Sequence, residues 1–138
     1  AYTWSNGNAI YAAGVQFPPV QVNGKKFFPG QANNFYIFPA IGMAVFATEA
    51  SRVTDEMFIE AASAVADQVP PDLLKQGLLY PLQSNILETE IQTAARIAEL
   101  IFDSGLASVK RPADMVAFIR EHVYKPEYKL EPALSTAA

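Results

Sequence analysis

Pro29-Gly30-Gln31-Ala32-Asn33-Asn34-Phe35-Tyr36-Ile37-Phe38-Pro39 changes character half-way along. Its first six residues are a polar turn. From Tyr36 to about Ala50 the chain is apolar nearly all round, with Ile37, Ile41, Val45 and Phe46 among the bulky positions. That pattern predicts a helix buried on several sides, entered through a turn that Gly30 lets bend sharply. Asn34 stands where it can cap the helix. Gln31, Asn33 and Asn34 bring carboxamides, with donors and acceptors, to a helix start whose unpaired N–H groups suit a carboxylate or phosphate. Two readings stay open at this point: a turn followed by a cap, and a small-anion site.

Towards the N-terminus the signals are those of strands. Val20-Gln21-Val22-Asn23-Gly24-Lys25-Lys26-Phe27-Phe28 reads as a hairpin, because Asn-Gly tolerates the positive φ of a two-residue turn. Ala9-Ile10-Tyr11-Ala12-Ala13, ending at Gly14, reads as one further, buried strand with no sheet of its own to join. Towards the C-terminus the chain turns helical. Thr54 is placed as an N-cap, with Asp55 and Glu56 in the first turn. Met57, Phe58, Ala61, Ala62, Val65 and Ala66 follow at helical spacing, and Pro70-Pro71 stops the run. Leu78 to Leu82 is an extended connector. A long helix is expected from about Ser84 to Ser104, with Ile91, Ala94, Ala95, Ala98, Ile101 and Phe102 on one face and Gly105 just past its end. Pro112 suits the first turn of a last helix reaching roughly Val123. The whole is a mostly helical chain with one hairpin.

Composition bounds what such a chain can do. Its 138 residues allow one core, and 51% hydrophobic against 17% charged residues is the opposite of a disordered balance. Apolar surface meant for a partner, or for the rest of a larger domain, is expected. The net charge of −4 and the absence of a basic stripe argue against nucleic-acid binding. Without cysteine there is no disulfide, thiolate metal site or cysteine nucleophile. No apolar run reaches the ~20 residues of a membrane helix. The start at Ala1-Tyr2-Thr3-Trp4 is expected to be a cut from a longer chain.

Few residues offer chemistry. His122 is the only histidine, so a histidine pair for metal is ruled out and a structural or surface role is expected. Glu56 and Glu60, four apart, could share a hard cation or simply face solvent. Glu88 and Glu90 read as an exposed first turn, and Lys25, Lys26 and Lys75 lie in turns or helix ends. The glycines at 7, 14, 24 and 30 are too scattered for a dinucleotide fingerprint. No complete catalytic set is present.

The stretch from Pro29 to Pro39 closely resembles the malic-enzyme motif that precedes a core helix of the nucleotide-binding domain. The likeness continues through Ile41-Gly42-Met43, Arg52-Val53-Thr54-Asp55-Glu56-Met57, Gly77-Leu78-Leu79-Tyr80-Pro81 and Tyr124-Lys125-Pro126-Glu127-Tyr128, in the family's order. Upstream, Trp4-Ser5-Asn6-Gly7-Asn8-Ala9-Ile10 looks like the family's tryptophan-serine-x-glycine segment. The resemblance implies an α/β parent with a Rossmann-type NAD(P)-binding domain. This piece would supply residues 1–128, helices with a hairpin and one further strand, followed by a flexible tail at 129–138.

It also implies oxidative decarboxylation of L-malate to pyruvate and carbon dioxide with NAD or NADP and Mg²⁺ or Mn²⁺. Of the family's functional residues the asparagine pair carries over, onto Asn33 and Asn34, as substrate- or cofactor-binding groups. The catalytic tyrosine and lysine, the metal ligands and the dinucleotide glycines lie earlier in a full-length enzyme, so the chain alone is expected to be inactive. One departure is local: Gly14-Val15-Gln16-Phe17 replaces glycine-serine-proline-phenylalanine, and losing the proline removes a fixed φ from that loop. A malolactic enzyme shares the asparagine region and is the near alternative. A stand-alone, non-catalytic helical interaction module is the alternative of another class. Expected partners are the remainder of the enzyme chain and further copies in a homo-oligomer, with no nucleic acid or membrane and a cytoplasmic location.

Overall fold

The structure, a computed structural model, describes residues 1–127; Tyr128 and the expected tail at 129–138 lie outside them. Strand β1 (Ala12–Ala13) is followed by the hairpin strands β2 (Val20–Val22) and β3 (Lys25–Phe27), and then by β4 (Gly30–Gln31). A 3-10 turn at Asn34–Tyr36 leads into α1 (Phe38–Thr48). Helices α2 (Asp55–Asp67), α3 (Pro71–Lys75), α4 (Ile86–Asp103) and α5 (Met115–Glu121) complete the order. About half of the described residues are helical, fewer than the sequence pattern suggests, because the first 35 form turns and short strands.

The hairpin is as its sequence dictates. Val20 pairs with Phe27 and Val22 with Lys25, while Asn23 (φ 52°) and Gly24 (φ 75°) take the two positive-φ positions. The Ala9–Ala13 run behaves differently from a buried strand. Only Ala12 and Ala13 are extended, both are half-buried, and they do have a partner, the parallel strand β4 with Ala12 opposite Gly30. Gly30 permits this pairing, since a Cβ there would stand 3.3 Å from that of Ala12. Tyr2 holds the region to the hairpin by stacking on Phe27 at 4.6 Å.

Helix α4 is the central element, packed by α1, α2 and α5. Its apolar face is mostly small: Ala94, Ala95 and Ala98 let neighbouring helices approach, while Ile91, Ile97 and Ile101 fill the space between. Ala40, Ile41 and Ala44 of α1, Met57 and Ala61 of α2 and Ile119 of α5 complete one contiguous core. Gln68, just past α2, donates from Nε2 to Thr93 Oγ1 at 2.9 Å and so gives a buried hydroxyl on α4 its partner. Arg96 of α4 grips Glu60 and Asp67 of α2 at 2.6 Å each, and Arg120 of α5 reaches both oxygens of Glu88 at 2.9 Å.

Several ends fall elsewhere than the pattern places them. The helix expected from Tyr36 begins at Phe38, since the first turn after the asparagines closes more tightly as 3-10. Thr54 sits at the N-cap of α2 but its side chain makes no cap bond. Pro112 lies ahead of the last helix, whose cap is Asp114 accepting from the Ala117 N–H at 2.9 Å; that helix stops at Glu121. On α2, Ala64 is buried in place of Phe58, Ala62 and Ala66, which face out. Phe38 and Phe46 on α1 are 73% and 72% exposed, so this apolar helix buries only the face towards α4. No helix among the described residues is long and apolar enough to cross a membrane.

Two tests follow from this packing. Ile101→Ala, at a fully buried position, should cost roughly 2–5 kcal/mol in urea unfolding, while Phe46→Ala should stay within about 0.5 kcal/mol; equal losses would contradict the assigned core. Glu88 is held below the ordinary carboxylate value by the Gln92 side chain and then by Arg120. A depressed carboxylate gives stability that is present above the unfolded pKa of about 4.3 and lost as pH falls through the lower folded value. Acid should therefore loosen α5 by under about 1 kcal/mol, since the pair is solvent-screened. An acid limb unchanged in Glu88→Gln would refute that linkage.

Candidate functional site

The asparagine turn is built by β4 and closed by the 3-10 turn. The Gly30 N–H donates to Tyr11 O at 2.9 Å and the Ala32 N–H to Ala13 O at 2.8 Å, so the approach to Asn33 is tied to β1. Asn33 is extended (φ −132°, ψ 146°), and its Oδ1 accepts from the Phe35 N–H at 3.2 Å. Its Nδ2 donates to Gly14 O at 3.0 Å, an oxygen that also accepts from Gln31 Nε2 at 3.4 Å. The cap is therefore Asn33, not Asn34: the extended backbone belongs to Asn33, and Asn34 is already the first residue of the 3-10 turn. Asn34 is exposed, and its carboxamide has no hydrogen-bond partner among the described residues.

A cavity of about 400 Å³ opens beside the pair, walled by Tyr36, Ile37, Phe38, Phe58 and Tyr80. Tyr36 fixes the back wall. It is buried, donates from its hydroxyl to Pro81 O at 2.5 Å and stacks on Tyr80 at 5.2 Å. Burial, with Tyr80 second, pushes the Tyr36 phenol above its ordinary value, so it stays protonated near neutral pH. The sequence reading missed this clamp and also the part of the Gly14 carbonyl. The signal for the clamp was present: a buried tyrosine needs a partner for its hydroxyl, and Tyr80-Pro81 offers a carbonyl and a ring side by side. Nothing in the sequence marked the Gly14 carbonyl.

The other candidates are not brought to this turn. His122 is exposed, and one ring nitrogen lies 2.8 Å from Phe118 O, a local helix-end contact. Glu60 is taken up by Arg96 while Glu56 faces solvent, so the two carboxylates form no cation site. Glu88 and Glu90 are half-buried, not an exposed turn: Glu88 is held by Gln92 and Arg120, and desolvation raises Glu90 above its ordinary value. No group of three or more metal-binding side chains occurs among the described residues.

Chemically the turn is neutral. Asn33 and Asn34 are its polar side chains beside aromatic and aliphatic walls, and no charged residue lines the cavity. It can donate to a carboxylate, and both donate to and accept from a carboxamide, but it holds no group that takes up or releases a proton near pH 7. A divalent ion, which wants carboxylate and carbonyl oxygens, does not fit this donor set.

Residues 1–102 match the family model described as "Malic enzyme, NAD binding domain". Among curated proteins, an NADP-dependent malic enzyme of Phaseolus vulgaris is 46% identical over 130 residues, covering 94% of this chain and 22% of the relative. One of Populus trichocarpa is 43% identical over the same shares. A form from Flaveria pringlei named as chloroplastic is 42% identical, with 20% of its length covered. The chain thus spans about a fifth of the length of these relatives. Family match and identity agree: this chain belongs to the malic enzyme family and carries part of its NAD-binding domain.

Proposed function

We propose that the chain forms the closing, substrate-facing segment of a Rossmann-type domain in an enzyme that oxidatively decarboxylates L-malate to pyruvate and carbon dioxide. NAD or NADP would take the hydride, and the parent's Mg²⁺ or Mn²⁺ would be held by residues outside this segment. The reading is carried by one observation: Asn33 spends both ends of its carboxamide on the scaffold, and Asn34 presents an unpartnered one at the mouth of a neutral, aromatic-walled cavity. Asn34 is then the group that hydrogen-bonds the malate carboxylate or the nicotinamide amide, and Asn33 is a positioning residue. Their surroundings favour such a bond, because the turn is already ordered by the ties of Asn33 to the scaffold. The parallel pairing of β1 with β4 supports the Rossmann assignment. Parallel ladders two residues long belong to larger covered sheets and are not stable alone.

With no acid, base or metal ligands at the turn, the segment's share of the reaction is binding and orientation. The purified 138-residue chain should give no malate-dependent NAD(P)H with Mn²⁺, and turnover that persists through further purification would show a catalytic set of its own. In a full-length parent, Asn34→Ala should lower kcat/KM by roughly ten- to a hundredfold, as loss of a hydrogen bond to a charged group does. Its stability should change by less than about 0.5 kcal/mol. Asn33→Ala should cost about 1–2 kcal/mol of stability, since it removes a cap and a loop tie together. Unchanged kinetics for Asn34→Ala would leave the pair as scaffold only.

A further inference from the structure

Of the three residues in the 3-10 turn Asn34–Tyr36, only Tyr36 is buried. A 3-10 helix has three residues to the turn, so the side chains of Asn34, Phe35 and Tyr36 leave its axis about 120° apart. Fixing the direction of Tyr36 therefore fixes the direction left to Asn34. Tyr36 is held twice. Its hydroxyl donates to Pro81 O at 2.5 Å, a buried bond between residues 45 apart in sequence. Its ring also stacks on Tyr80 at 5.2 Å and 25°, and the Phe35 ring adds a tilted contact at 4.5 Å.

The far end of this clamp is firm. Pro81 is buried and its ring fixes φ. Ahead of it the Leu78 N–H donates to Leu73 O at 3.0 Å. Behind it the Asn85 N–H closes the next 3-10 turn onto Leu82 O at 3.0 Å, just before α4. Asn33 holds the entry to the asparagine turn and Tyr36 holds its exit, so Asn34 lies between two fixed points. Tyr36 is suited to holding and not to proton transfer. Burial raises its phenol, which stays a donor near neutral pH, and the hydroxyl is engaged by a carbonyl outside the cavity wall.

We propose that Tyr36 is a positioning residue for the reaction: through Pro81 and Tyr80 it sets the direction of the Asn34 carboxamide. This role rests on Asn34 being the group that meets substrate or cofactor. One test is independent of catalysis. In the 138-residue chain, Tyr36→Phe should shift and broaden the Asn34 backbone and carboxamide NMR signals while amides in the middle of α4 stay in place. Unmoved Asn34 signals would overturn the proposal. The second test is a double-mutant cycle in a full-length parent. Tyr36→Phe should lower kcat/KM by about three- to tenfold beside native Asn34. Beside Asn34→Ala it should lower kcat/KM by less than about twofold, because nothing is then left to position, while the urea midpoint falls equally in both backgrounds. Tyr80→Leu, which removes the stack and leaves the hydrogen bond, should show the same dependence on Asn34 with a smaller loss, and it carries the test if Tyr36→Phe does not fold. An effective Asn34→Ala beside a silent Tyr36→Phe, or a Tyr36→Phe loss that persists in full beside Asn34→Ala, would overturn the positioning role. A silent Asn34→Ala would instead remove the reading beneath that role, and the role with it.

Discussion

The burial of α4 among α1, α2 and α5 is the constraint on which the rest of the structure depends. Helix α4 centres the core by presenting alanines where helices must approach and isoleucines where space must be filled. Everything polar at those contacts is accounted for: Thr48 donates back to Ala44 O at 2.7 Å and Thr93 accepts from Gln68, and no buried side-chain nitrogen or oxygen among the described residues lacks a partner. The arginine pairs between helices sit at the rim, where screening makes them weak.

The asparagine turn is carried by that core. Its 3-10 turn touches both α1 and α4, Tyr36 is anchored to the connector before α4 through Pro81, and the Ile41 N–H picks up Ile37 O at 3.0 Å as the helix begins. On the other side β1, β4 and the Gly14 carbonyl hold Asn33. With both ends of its carboxamide held by fixed neighbours, Asn33 pins the backbone from which Asn34 projects, so the turn needs little reorganisation. The division of labour within the pair follows from backbone conformation: the extended residue turns its side chain to the scaffold, and the one inside the tight turn is left to solvent.

Much of this was legible in the residues. Asn23-Gly24 fixed the hairpin because few other dipeptides accept positive φ twice, and the spacing of Ile91, Ala94, Ala98 and Ile101 gave α4 its face. A series of motifs in the family's order, from Trp4 to Tyr128 and including the asparagine stretch, carried the resemblance to the family. What could not be read were the contacts made across the chain. Parallel pairing of Ala12 with Gly30 leaves no local signature in so short a strand. Which asparagine caps depends on a 3-10 turn that propensity does not distinguish from the start of an α-helix. The exposure of Phe38 and Phe46 likewise depends on which neighbours α1 meets, and an all-apolar helix gives no clue to that.

The central claim is that the turn is preorganised by the helical core, and native-state amide hydrogen exchange on this chain tests it most directly. If the claim is right, the Ala32, Tyr36 and Ile37 amides, which bond to Ala13, Asn33 and Asn34 carbonyls, will be protected and will open together with amides in the middle of α4. Turn amides that exchange freely while α4 remains protected would show that the asparagines move independently of the core, and the assignment of Asn33 as a positioning residue would fall with it.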